Sequence, residues 1–141
     1  MKGRFSVVGA RQLLSAMLTP DVYVAPETLY LALCGKLPVD GDPGNALLEP
    51  PVSSGYARAE IPLGSAWWTS SGYGTFWNAI EVIFPPAQVT WQRTRAYAIT
   101  TAPTSGEVWA MGLTSMGNVP AGNQLVVAPG EIQLMLRGSA L

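Results

Sequence analysis

The sequence predicts an all-β domain, a β-sandwich or jelly-roll-like fold carrying one short N-terminal helix. Three observations predict it. Seven or eight short apolar or alternating runs are spaced along the 141 residues, and clusters of Gly and Pro separate them. Only one stretch repeats its apolar residues at offsets of three and four. No internal repeat is visible, and a chain of this length buries roughly two-thirds of its unfolded surface, enough for one core. The expected organisation is an N-terminal arm over residues 1–8 and a single domain over 9–141.

In chain order, residues 1–8 combine Lys2 and Arg4 with Gly3 and Ser6, a composition that suits a mobile arm. Ala10, Leu13, Leu14, Met17 and Leu18 then share one face of a helix stopped by Thr19 and Pro20. So short a helix needs a surface to dock on, either the end of its own sandwich or a neighbouring subunit. In the strand Leu29–Leu33 the leucines fall on one side and Tyr30 and Ala32 on the other, which specifies a core-facing register. The stretch 38–54 is too rich in Pro and Gly for regular structure and reads as a long, subunit-contacting loop. Asp40 and Asp42 within it sit at alternate positions, as calcium ligands do. Gly44 at the third position and a Glu49 out of register remove the EF-hand pattern and leave turn chemistry.

Tyr56–Leu63 alternates Tyr, Arg and Glu with Ala, Ala and Ile, a half-exposed strand ending at Pro62. Trp67 and Trp68 point to opposite faces if extended, so one is left to meet a glycan, a subunit or a loop of the same chain. Ser70–Trp77 follows, rich in Gly and aromatics, then an apolar strand over Ile80–Phe84 ended by Pro85 and Pro86. Arg93 and Arg95 share a face and make a small basic patch, solvated, matched by nearby carboxylates or paired with an acidic partner surface. Residues 95–114 read as a hairpin whose second arm turns Trp109, Met111 and Leu113 inward. Leu125–Val127 and Ile132–Leu136 are the last strands, with the turn at Pro129-Gly130 between them.

The composition removes many functions. There is no histidine and one cysteine, which excludes Ser-His-Asp and Cys-His catalysis and any zinc site. Cys34 lies in an apolar strand with no base beside it and reads as a packed small hydrophobe. Gly72-Tyr73-Gly74 lacks the third glycine of a dinucleotide loop. Glu49, Glu60, Glu81 and Glu107 could meet in space, but nothing marks a catalytic pair among them. A net charge of −1 without a basic cluster argues against nucleic acid. No run approaches a membrane span of about 20 residues, and no signal peptide is visible, so synthesis is expected in a cytoplasm without export by that route. Charged residues are only 12% of the chain. Against a usual fraction of about 25%, that leaves a surface best covered by other subunits.

The order of features resembles a known group. A short helix, APETLYLALCGKLP, SSGYAR, a strand ending in FPPA with a tryptophan after it, GEVWAMGL and a terminal alternating strand resemble, over about Ala10–Leu136, the small virion proteins of tailed bacteriophages. Members of that family are often labelled tail fibre proteins, and some resemble capsid decoration or cement proteins. Cys34-Gly35-Lys36 and the 38–54 loop depart from the pattern. The resemblance implies a virion structural protein without enzymatic activity or cofactor, on the capsid surface rather than the tail. Its partners would be the major capsid protein and further copies of itself, a homotrimer being one form. The alternative is a fibre module whose Trp67, Trp68, Tyr73 and Trp77 stack on a host glycan; the lack of an elongated shaft argues for cement. Arg4, Asp40, Asp42, Trp68, Arg93 and Arg95 are the candidate partner-contact residues.

Overall fold

The computed structural model describes residues 1–70 and 74–135. Ten strands and one helix follow in order: β1 (Lys2–Phe5), α1 (Val7–Leu18), β2 (Thr28–Cys34), β3 (Ala59–Pro62), β4 (Trp68–Ser70), β5 (Thr75–Asn78), β6 (Val82–Ile83), β7 (Ala96–Thr100), β8 (Val108–Leu113), β9 (Val126–Val127) and β10 (Gln133–Met135). Eight strands form one curled sheet in the order β3-β2-β7-β8-β1-β10-β5-β4, and β6 pairs with β9 in a small second sheet. Every pairing is antiparallel except β1 with β10. The result is an all-β, sandwich-like domain with one short helix.

The alternation in β2 sets both faces of the large sheet. Leu29, Leu31 and Leu33 enter the main core between the sheets, with Ile61, Tyr97 and Ile99 from the large sheet and Val82 and Val127 from the small one. Ala32 and Cys34 point the other way, into a second cluster with Ala96, Ala98, Val108 and Met111. A strand covered on both faces needs something over its back. That cover is the 38–54 loop, which packs Leu47 against the second cluster and holds Gly35 N–H to Leu48 O at 2.8 Å. Pro43 also bridges Glu107, and Gly44 N–H reaches Gly106 O at 2.8 Å, so the inner side of the loop is laid on its own sheet.

The N-terminus departs from the expected arm. Lys2–Phe5 is a central strand, with Gly3 opposite Gly112 of β8 on one side and Leu134 of β10 on the other. Its alternation explains this: Lys2 and Arg4 face solvent while Gly3 is buried. A Cβ at Gly3 would collide with the Tyr97 hydroxyl, so glycine is what lets the strand lie across the buried ring. Ser6 then caps α1, its Oγ accepting from Gly9 N–H at 2.9 Å and donating to Val108 O.

The helix also docks by a face turned away from most of the expected stripe, of which Leu13 alone reaches the wall of the apolar pocket beside the helix. Its only buried residue is Gly9, and a Cβ there would strike the Trp109 carbonyl of β8. Leu14, Met17 and Leu18 of the apolar stripe are 55, 70 and 72% exposed. Close backbone approach at a glycine, which a hydrophobic periodicity does not weigh, chose the contact.

The 95–114 hairpin forms as expected, but its inward face does not. Ile99 pairs with Ala110 and Thr100 with Val108, so a bulge at Trp109 breaks the alternation. Ala110 consequently joins the main core, Met111 the second cluster, and Leu113 is exposed. Tyr56 and Arg58, read as solvent-facing, are both buried. The last two strands belong to different sheets, β9 beside β6 and β10 between β1 and β5. Leu136 and the tail after it lie outside the described residues.

Gly9→Ala tests the helix contact. Alanine favours an isolated helix by about 1 kcal/mol over glycine, yet the collision should outweigh this and cost about 1–3 kcal/mol. Thermal unfolding by circular dichroism should show a Tm several degrees lower; a Tm equal or higher would mean α1 does not rest on Trp109.

Candidate functional site

The polar centre of the fold is Arg58, whose side chain is 3% exposed. Its guanidinium closes a bidentate pair with Glu49, Nε to Oε1 at 2.9 Å and Nη2 to Oε2 at 2.8 Å. Nη1 donates to Thr100 Oγ1, Ala102 O and Ser105 O, and Nη2 donates to Gly44 O, all within 3.0 Å. Tyr56 extends the network, its hydroxyl donating to Glu49 Oε1 at 2.7 Å and accepting from Leu33 N–H at 3.0 Å. The Tyr56 ring stacks at 6.3 Å on Phe84 and meets Trp91 edge-on at 5.3 Å, and Trp91 Nε1 donates to Ser54 O at 3.1 Å.

Every donor of the guanidinium points at protein, and the electrostatics follow. Burial alone would lower the Arg58 pKa, but the hydrogen bonds and charge of Glu49, with Tyr56 and Cys34, leave it raised. Burial, with Glu49 adding and Arg58 opposing, pushes the Cys34 thiol from 9.0 up to about 12. Burial and Glu49 push the Tyr56 phenol up as well. These are groups held in one protonation state, a clasp rather than an acid–base pair. Among the described residues no cluster of His, Cys, Asp and Glu could hold a metal ion.

Open surface of a different kind lies beside α1. A pocket of about 530 Å³ is walled by Phe5, Leu13, Leu29, Trp68, Phe76, Trp109 and Leu134, with Leu63, Gly64, Ser65 and Gly74 at its side. Its volume is that of a ligand or side-chain pocket. Among the described residues the lining carries no charged residue, and Ser65 supplies its one hydroxyl. Across the helix, Val7, Ala10, Arg11, Leu14, Ser15, Leu18 and Thr19 line a shallow second groove. α1 thus runs as a ridge between two apolar depressions.

The six residues singled out in the sequence do not converge. Trp68 begins the edge strand β4 and lines the apolar pocket, packed against the main core, its Nε1 buried without a partner. Arg4 is exposed on β1, beside a depression shared with Lys2, Leu37 and Leu113. Asp40 accepts from Val7 N–H in the first turn of α1 at 2.9 Å, where a helix favours a carboxylate. Asp42 accepts from Val39 N–H at 3.1 Å, the chemistry of a turn. Arg93 and Arg95 are exposed, Arg93 beside Leu48 and Pro50. Tyr73 lies outside the described residues, while Trp67 and Trp77 are half-buried. The sequence reading missed Arg58 and Glu49 as a pair and Phe76 and Trp109 as pocket walls. The one available signal was an arginine between two alanines, Ala57 and Ala59, at the entry to β3.

The chain is thus a charge-poor β-domain with an internal salt-bridged clasp and apolar depressions on its surface. The chain belongs to the podophage GP4 fiber I protein gp80 family, whose family model matches residues 4–135. It is accordingly a tailed-phage virion structural protein of fibre type. No curated protein matches it. Among the described residues no helix is long and apolar enough to cross a membrane.

Two measurements test the clasp. Arg58→Met leaves the half-buried Glu49 carboxylate without its cation and should cost about 3–5 kcal/mol in urea unfolding. Arg58→Lys should recover only a minor part, since an ammonium cannot span both Glu49 oxygens and the carbonyls of 102 and 105. A lysine variant of full stability would show that charge alone matters.

For Cys34, the folded value lies above the unfolded one, so the neutral thiol favours folding at every pH below 9.0, and that contribution is lost as pH climbs towards about 12. Native protein at neutral pH should therefore resist a thiol-specific reagent that labels the urea-unfolded chain at once. Alkaline unfolding should be shallower in Cys34→Ala between those values. Rapid native labelling would contradict both expectations.

Proposed function

We propose that the chain is a non-enzymatic assembly module that fastens a fibre-type structure to neighbouring virion proteins through apolar contact. The observation that carries this is the pocket beside α1: among the described residues it has four aromatic walls, four leucines, no charged side chain and one hydroxyl. A sugar recognised by stacking also needs hydrogen-bonding side chains around its hydroxyls, whereas a partner's apolar side chain needs only shape and exclusion of water. The family membership supports a place on the virion, and the clasp accounts for the conspicuous polar residues without invoking catalysis.

The capsid form of this reading is cement, in which copies cover the head and bridge major capsid proteins, with a homotrimer as one possible cluster. A charged fraction of 12% favours burial of this kind against many neighbours. Under it the exposed Val39, Leu48 and Val52 of the 38–54 loop are further contact points, and Arg4, Arg93 and Arg95 supply polar rim. The second reading, a tail fibre module that stacks a host glycan on Trp68, is favoured by the exposed face of Phe76 beside it.

Imaging of particles carrying labelled protein separates the two: many copies over the head support cement, and a few at the tail tip support the fibre. Phe76→Asp should keep the fold, because Phe76 is 49% exposed, while reducing particle occupancy at least about tenfold. Full occupancy by this variant would remove the pocket from the assembly. Glycan-array binding lost on Trp68→Ala would replace protein docking with carbohydrate recognition.

A further inference from the structure

The stretch Val7–Val24 exposes six large apolar side chains: Val7 62%, Leu14 55%, Met17 70%, Leu18 72%, Val22 72% and Val24 87%. At 100° per residue, Val7, Arg11, Leu14 and Leu18 form one line along α1, opposite the Gly9 face that rests on β8. Ala10 and Ser15 flank this line and leave a groove between the larger side chains. Ridges and grooves of this spacing accept another helix of similar pattern.

The charges of the stretch say which helix. Between Val7 and Ala25 the charged residues are Arg11 and Asp21. Arg11 lies on the apolar line itself, and Asp21 follows the helix in a turn held by Val22 and Tyr23 N–H to Thr19 O at 3.2 and 3.0 Å. Both are exposed. The ion pair among the described residues is Arg58–Glu49, so neither has a carboxylate or cation partner among the described residues. Arg11 lies towards the N-terminal end of α1, and the turn that carries Asp21 follows its C-terminal end. An antiparallel copy of the same helix, set so that each Leu14 meets the other's Leu18, turns each Arg11 towards the other's C-terminal end and the turn that carries Asp21. A parallel or threefold arrangement about α1 would instead crowd Arg11 against Arg11.

We propose that α1 is the interface between two copies of this chain, packed antiparallel about a twofold axis between Leu14 and Leu18, with reciprocal Arg11–Asp21 pairs at its ends. The contact is isologous: one patch meets itself, and the apolar stripe of each copy covers that of the other. It is separate from the docking pocket on the far side of the helix and does not depend on which virion protein occupies that pocket.

The test is sedimentation of the full chain from micromolar to millimolar concentration. The wild type should pass from monomer to dimer. Leu14→Asp and Leu18→Asp, both at exposed positions, should stay monomeric with unchanged circular dichroism. Arg11→Asp should weaken the dimer at least about tenfold, and Arg11→Asp combined with Asp21→Arg should restore it to within a few-fold. A chain that stays monomeric throughout, a trimer, a dimer indifferent to Leu14→Asp, or a charge exchange without rescue would each overturn the proposal.

Discussion

The buried guanidinium of Arg58 is the constraint on which the rest of the structure depends. It joins segments far apart in the chain: Gly44 and Glu49 of the long loop, Thr100 at the end of β7, and Ala102 and Ser105 of the turn leading to β8. Removing a guanidinium from water is costly, and the pair with Glu49 does little more than offset that cost. What it supplies is geometry. A planar fork satisfied by fixed carbonyls admits one placement of the loop, and with that placement Leu47 closes over Cys34 and its neighbours. The back of β2, β7 and β8 could not be as apolar as it is without this lid.

The same economy of close approach governs the N-terminus. Two glycines, Gly3 under Tyr97 and Gly9 against Trp109, let the first strand enter the middle of the sheet and let the helix touch β8 backbone to backbone. With Gly9 fixed to β8, the rotation of α1 is fixed too, and its larger apolar residues are turned outward. The exposed stripe is thus a consequence of how the helix is anchored. Trp109 takes part twice, because the bulge that lifts it out of register also makes it a wall of the apolar pocket.

How much of this was legible follows from what a period can say. The leucines of β2 and the 95–114 hairpin were readable, since alternation and turn residues act locally. The helix was readable as a helix, but a period marks a face without saying what covers it. A glycine contact carries no hydropathy at all, so the buried side of α1 was hidden. β1 was hidden for the same reason, with two charges outside and a glycine inside. Arg58 and Glu49 are nine residues apart, yet three further partners of Arg58 are 42 to 47 residues from it, and no local pattern marks such a convergence. The candidate site was legible only in part: Trp68 stood out as an aromatic, while Phe76, Trp109 and Leu134 come together only when β4, β5, β8 and β10 are placed on one curled sheet.

A helix of 12 residues is marginal alone in water, and this one has few ties to its own domain: a Ser6 cap, the Asp40 carboxylate on its first turn, the Gly9 contact and Leu13 in the pocket wall. Occupying either apolar depression beside it adds packing to an element that the fold itself holds lightly. Binding and helix order then become one equilibrium, since any surface that covers α1 also stabilises it. That coupling separates this surface from the Arg58 clasp. The clasp is satisfied within the chain and gains nothing from a further contact, whereas the helix ridge leaves Val7, Leu14, Met17 and Leu18 exposed, so the fold is fastened at its centre and held lightly at this edge.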